Sequence, residues 1–296
     1  MNFELIEGVN EVQRVMVMVL MLLVVVFAAG CWDLREVEDL AFVTATAVDT
    51  APGGRVKLLV QVINPRALGG GPRAAPTQGA SIPAKTYRNY SATGRTVFEA
   101  FRRLTLGMPK RLFFAQDREI LLTERLAKEG ISEIIGFFDR GVEIRKLAHV
   151  VLVKGKVEEV LEVPGTLQPV PALRIDGIIR RQHLANRYPE VRLGEFLRFM
   201  ETEGQEAHCP VIRLGKSKTH VLKPHKLTPL APEPPLHMRI AETALFRKDK
   251  LAGFLNERET RGLLWAKGEV QGGRSRYPVR LARRRFRWRL CGRKPG

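Results

Sequence analysis

Apolar and small polar positions alternate from Ala41 to Asp49 (AFVTATAVD), the two-residue period of a half-buried strand. Ala51-Pro52-Gly53-Gly54 supplies a turn and Arg55 to Asn64 (RVKLLVQVIN) returns as a second strand, so an antiparallel hairpin is expected. Pro65 to Pro83 is rich in Gly, Pro and Ala and reads as an exposed loop. Tyr87 to Ala92 fits a short strand. Thr93 and Gly94 then open a helix that sets Val97, Phe98, Phe101 and Leu104 on one face and stops at Gly107 and Pro109. Arg118 to Thr123 and Leu147 to Val153 are apolar runs of strand length. Between them Ile131, Ile134, Ile135 and Phe138 make a helical stripe, with Ser132 as its cap and Gly141 at its end. Val157 to Leu161, Leu173 to Asn186 and Leu193 to Glu203 are predicted helices, the last with Leu193, Phe196, Leu197 and Met200 at helical spacing.

Met238 to Arg247 and Leu251 to Leu255 read as strands around a Lys248-Asp249-Lys250 turn. Asn256 and Glu259 have the spacing of a capping box, so a helix follows. Strands and helices alternate without a repeat. That fits an α+β class, with antiparallel-rich sheets and packed helices, better than a doubly wound sheet. Two Pro-rich stretches punctuate the chain: 164–171, an internal boundary, and 223–235, a linker. The expected units are therefore a leader (1–30), an α+β region (31–222) and the start of a second α/β domain (236–273).

The leader is the most informative stretch. Arg14 precedes an unbroken apolar run, Val15 to Ala29, and Ala29 and Gly30 lead into Cys31. A membrane span needs roughly 20 apolar residues, whereas a signal-peptide core needs roughly 7–15. Small residues before a Cys at the end of such a core resemble a lipobox, at which the thiol receives a diacylglycerol and the chain is cut before it. An uncleaved N-terminal anchor is the alternative. Ala28 stands where lipoboxes usually carry Leu, and Glu4, Glu7 and Glu11 precede Arg14, so translation is expected to begin nearer Val12.

The run Cys31-Trp32-Asp33-Leu34-Arg35-Glu36-Val37-Glu38-Asp39-Leu40-Ala41 resembles the mature N-terminus of the Ger(x)C family, the lipoprotein C subunits of bacterial spore germinant receptors. Cys31, Trp32, Asp33, Arg35 and Glu36 carry the likeness. A second likeness lies in Ala244 to Leu255 and Glu259 to Trp265, where that family opens its C-terminal domain. The resemblance covers roughly residues 27–273. It implies a non-enzymatic subunit on the outer surface of the inner spore membrane, held by diacylglycerol and N-acyl lipid on Cys31. It also implies two integral membrane partners, the A and B subunits, and a part in the response to nutrients. An extracytoplasmic solute-binding lipoprotein is the rival reading; it would need two similar lobes around a cleft, and no duplication is visible.

Composition changes this picture little. The 296 residues carry a formal charge of +18. Residues 274–296 hold nine Arg, one Lys and no acid, so +10 sits there and +8 in the remainder. Nucleic acid is therefore not an expected partner, because no basic helix with interleaved aromatics stands in the body. The abrupt Arg-rich segment reads as a frameshifted tail. Of Cys31, Cys209 and Cys291, the last two allow one bridge, but Cys209 is expected to remain a small, partly buried thiol.

Candidate chemistry is sparse. His149, His183, His208, His220, His225 and His237 lack the short fixed spacings of a zinc site and are read as solvent-exposed; no metal or other cofactor is expected. Gly69-Gly70-Gly71 lacks the Lys-Ser/Thr of a phosphate loop, and no hydrolase or metalloprotease motif is present. Asp33 with Glu36, Glu158 with Glu159, and Glu257-Arg258-Glu259 read as solvated charge, so no catalytic residue is assigned.

Overall fold

Strands that are covered on both faces read as nearly continuous apolar runs, and two such runs form the middle of this molecule. In β5 (Glu119–Thr123), Ile120 and Leu122 enter one core and Leu121 the other; in β6 (His149–Lys154), Val150 and Leu152 divide from Val151 and Val153 in the same way. The computed structural model describes residues 13–23, 37–68, 85–141, 144–163, 165, 168–182, 186–216 and 236–270.

One mixed sheet contains every strand among the described residues. Besides β5 and β6 these are β1 (Leu40–Ala51), β2 (Arg55–Ile63), β3 (Tyr87–Gly94), β4 (Arg111–Phe113), β7 (His208–Lys216), β8 (Leu236–Arg247) and β9 (Lys250–Leu255). Their spatial order is β3-β2-β1-β5-β6-β7-β8-β9, with β4 beside the start of β1. The four central strands β1, β5, β6 and β7 run parallel. Antiparallel hairpins flank them on both sides. The class is α+β, as the pattern predicts, with the antiparallel pairing placed at the flanks.

Helices cover both faces. α1 (Val97–Leu106), α2 (Glu124–Glu129), α3 (Ser132–Arg140) and α6 (Leu193–Glu201) pack on the first core; α4 (Val157–Val160) and α5 (Pro171–Ile179) pack on the second. Several details differ from the expectation. In α1 the buried face is Val97, Ala100 and Leu104, and Phe98 lies exposed. Ser132 is the first residue of α3 and makes no cap. α5 begins at Pro171, because proline lacks the N–H that a first turn leaves unpaired anyway. Residues 13–23 are helical and exposed, and no helix among the described residues is long and apolar enough to cross a membrane.

The expected boundary at 223–235 lies outside the described residues, but its two flanks meet. β7 and β8 pair from His208↔Leu245 to Lys216↔Leu236, so segment 236–270 belongs to the same sheet as the preceding strands. In that segment Phe246 and Leu264 are buried, Leu251 and Phe254 are half-buried against the first core, and Trp265 is exposed. α7 (Glu257–Lys267) closes the description. Asn256 Oδ1 accepts from the Arg258 and Glu259 amides at 2.9 and 3.0 Å, and Glu259 Oε2 accepts from the Asn256 amide at 2.9 Å. Asn256→Ala removes this reciprocal cap and is expected to cost about 1 kcal/mol, read as a lower denaturation midpoint at unchanged slope.

Candidate functional site

One cluster of buried polar residues lies at the amino-terminal ends of the central strands β5 and β6. Glu119 is the first residue of β5 and His149 the first of β6, and the two are register partners. An apolar strand interior leaves its end positions as the place where a polar side chain can still find a partner. His149 Nδ1 stands 3.2 Å from Glu119 Oε1 and 3.6 Å from Asp176 Oδ1, which α5 carries across the second core. On its other side, His149 Nε2 lies 3.3 Å from Glu190 Oε1. The chain around Glu190 is held there by backbone bonds, Val150 N–H to Val191 C=O at 3.0 Å and Leu193 N–H to Ala148 C=O at 2.8 Å.

Arginines enclose the acids. Arg118 reaches Asp176 Oδ2 at 3.3 Å, Arg180 reaches Asp176 Oδ1 at 3.1 Å, and Arg192 reaches Glu190 at 3.2 Å. Asp117 lies beside them, accepting a hydrogen bond from the Thr46 hydroxyl of β1 and one from the Glu119 amide at 3.3 Å. Burial pushes the Asp117 carboxyl up to about 7, against the pull of those hydrogen bonds. Burial likewise pushes Glu119 up to about 8, opposed by the His149 imidazole. For His149 burial pulls downward, and the carboxylates of Glu119 and Glu190 more than offset it, so its pKa is raised. One ligand atom from each of Glu119, His149 and Asp176 lies within 4.8 Å of the others. The chemistry within reach is proton exchange or cation binding.

A second feature is a cavity of about 690 Å³ between α1, β4 and α3. Val97, Phe101, Leu112, Phe114, Phe137 and Ile144 line it, with Arg111 and Arg140 among its polar groups. It adjoins the chain's entry into the sheet, because Leu112 of β4 pairs with Ala41 of β1.

The residues singled out by sequence fall elsewhere. Cys31, Trp32, Asp33, Arg35 and Glu36 lie outside the described residues, as do Cys291, His183, His220, His225 and the segment from 271 onward. The described chain resumes with a short turn, Val37–Asp39, that leads into β1, and the Lys110 ammonium donates to the Glu38 carbonyl. His149 and His208 correct the expectation of exposed histidines, since both are buried. Cys209 is a free, fully buried thiol, its pKa raised by burial. Glu158 is a paired surface carboxylate, 2.6 Å from Lys57. Sequence reasoning missed Glu119, Asp176 and Glu190. A charged residue at the head of an apolar strand was the one local signal, shared by Glu119 and His149.

Two family models match the chain: the spore germination protein N-terminal domain over residues 33–214, and the spore germination B3/GerAC-like C-terminal domain over residues 241–285. The second runs past Gly273, where the resemblance was expected to end. Among curated relatives, spore germination protein KC of Bacillus subtilis (strain 168) is 27% identical over 88% of this chain and 63% of its own length. The putative spore germination protein YfkR of the same organism is 25% identical over 83% of this chain and 59% of its own. Spore germination protein B3, also from that organism, is 24% identical over 82% and 59%. The chain thus spans about three fifths of the length of the relatives it matches. No solved structure matches it. With the first model covering well over half of its residues and the second following in order, the chain belongs to the Ger(x)C family of spore germination proteins.

Proposed function

We propose that this chain acts as the lipid-anchored C subunit of a spore germinant receptor, without catalysis of its own, together with integral membrane A and B subunits. The observation that carries the reading is the order of parts: an apolar run, Cys31, and two successive germination-family matches from residue 33 onward. Asp33, Arg35 and Glu36 fall inside the first match, immediately behind the cysteine. In this reading the thioether-linked diacylglycerol and the N-acyl chain on Cys31 tether the body to the outer face of the inner spore membrane. Each buried CH₂ contributes about 0.8 kcal/mol; one chain attaches reversibly and two attach stably. Confinement to the membrane plane raises the effective concentration of the body towards its partners without any added contact. Trp32, one residue from the lipid, suits the headgroup region with its apolar ring and polar N–H.

The test is fractionation with mass spectrometry. Wild-type protein is expected in the membrane fraction with lipid on Cys31 as its first residue, and Cys31→Ala is expected to lose that modification and the cut. An unmodified Cys31 inside an uncut parent peptide would remove the anchor from the proposal. Spores that lack the gene are expected to lose their response to at least one nutrient and to regain it with the wild-type copy. Unchanged germination on every nutrient tried would count against the receptor role.

A further inference from the structure

We propose that Glu119, His149 and Asp176 form a binding site for one divalent transition-metal ion, zinc foremost. The inference goes beyond receptor membership and does not depend on it. Three observations support it. The first is spacing: ligands about 2.0–2.2 Å from zinc at tetrahedral angles lie about 3.3–3.5 Å apart. His149 Nδ1 is 3.2 Å from Glu119 Oε1 and 3.6 Å from Asp176 Oδ1, and the three ligand atoms all lie within 4.8 Å of one another, so these side chains can close on one ion.

The second is an orphaned oxygen. Glu119 has no exposed surface, its carboxylate is turned towards His149, and its Oε2 has no hydrogen-bond partner among the described residues. A buried carboxylate oxygen left without a donor is costly, and a cation at this place satisfies it. The third is the outer support. Metal-bound histidines commonly give their second ring N–H to a carboxylate, which fixes tautomer and orientation. His149 Nε2 faces Glu190 Oε1 at 3.3 Å, leaving Nδ1 for the ion, while Arg118 steadies Asp176 through Oδ2 and Arg180, 3.1 Å from Oδ1, shares that oxygen with the ion or gives it up. Two of the three ligands sit at register-paired positions of neighbouring strands, a rigid footing.

The donor set narrows the ion. One imidazole with two carboxylates suits zinc, manganese or ferrous iron; magnesium and calcium prefer all-oxygen shells, and cuprous copper prefers sulfur. The three ligands leave a fourth position for Glu119 Oε2 or a water.

The full chain, purified in detergent and stripped with chelator, is titrated with zinc chloride by calorimetry. One ion per chain is expected. X-ray absorption of the zinc-loaded wild-type protein is expected to show a first shell of one imidazole nitrogen with oxygens. His149→Gln abolishes that binding, Glu190→Gln weakens it about 10–100-fold, and His208→Gln leaves it unchanged. Glu190 is partly exposed, so its variant keeps the fold, and circular dichroism checks this. No stoichiometric zinc, a first shell with sulfur or several imidazoles, or binding indifferent to both His149→Gln and Glu190→Gln overturns the proposal.

Discussion

Phe246→Ala is expected to cost the whole molecule about 3–5 kcal/mol. Phe246 is 2% exposed and stands edge-on to Phe196 of α6, with ring centroids 5.4 Å apart. Both rings belong to the first core, which also holds Ile120, Val150 and Leu152 of the central strands. The Phe246 amide donates to the Ala207 carbonyl at 2.8 Å, so the backbone cannot easily shift to fill the space a truncation leaves. Because β8 lies in one sheet with β7, the loss should appear as a single cooperative transition moved to lower denaturant. Two transitions, with only the smaller one displaced by the variant, would mean that residues 236–270 unfold by themselves.

Acid is expected to weaken the same region through His208. This ring stacks on Phe199 with centroids 5.0 Å apart, and its Nε2 stands 3.0 Å from the Lys267 ammonium, where a neutral imidazole accepts a hydrogen bond. Burial first, and the Lys267 charge second, pull its pKa down to about 4. An unfolded chain protonates the same ring near 6.5. Between those values the unfolded state therefore binds more protons than the native state, and stability falls as pH falls from about 6.5 to about 4. The shift corresponds to about 3 kcal/mol at most. His208→Phe keeps the stack and removes the titration. The stability difference between wild type and this variant should accordingly move by about that amount between pH 7 and pH 4. Parallel loss in both proteins would show that His208 is not the group responsible.

Both effects rest on partners far apart in the chain, and that separates what could be read from sequence from what could not. The β1–β2 hairpin is legible because its period, its turn and its return strand are all local; the observed strands, Leu40–Ala51 and Arg55–Ile63, lie within two residues of the expected ones. The capping box at Asn256 is legible for the same reason. β4 and β7 are not. β4 has three residues, too few to show a period, and β7 (HCPVIRLGK) mixes a His, a Pro and a Gly into its run. Parallel pairing has no local mark at all, since β2, β3, α1 and β4 stand between β1 and β5 along the chain. The cluster at His149 depends wholly on that pairing: Glu119 and His149 become neighbours through strand register, and Asp176 reaches them through the packing of α5. Histidine spacing along the chain, the usual clue to a metal site, is uninformative when each ligand comes from a different element. Phe98 shows the converse limit, because helical periodicity places a side chain on a face but does not say how far the covering layer extends.

The first strand of this protein stands inside its sheet, with β2 on one side and β5 on the other, and this governs how the chain can assemble. Emerging amino end first, it forms the β1–β2 hairpin early, yet Ala45 must wait for Glu119, and Leu152 in turn for Val211. Loop closure over such separations is slow, and sheets built from it fold in about milliseconds to seconds. Until β5 arrives, the inner edge of β1 offers unpaired amides and carbonyls between apolar side chains, the surface on which strands of other chains add. The interval between the completion of β2 and the arrival of β5 is therefore when this sheet is most open to pairing with other chains.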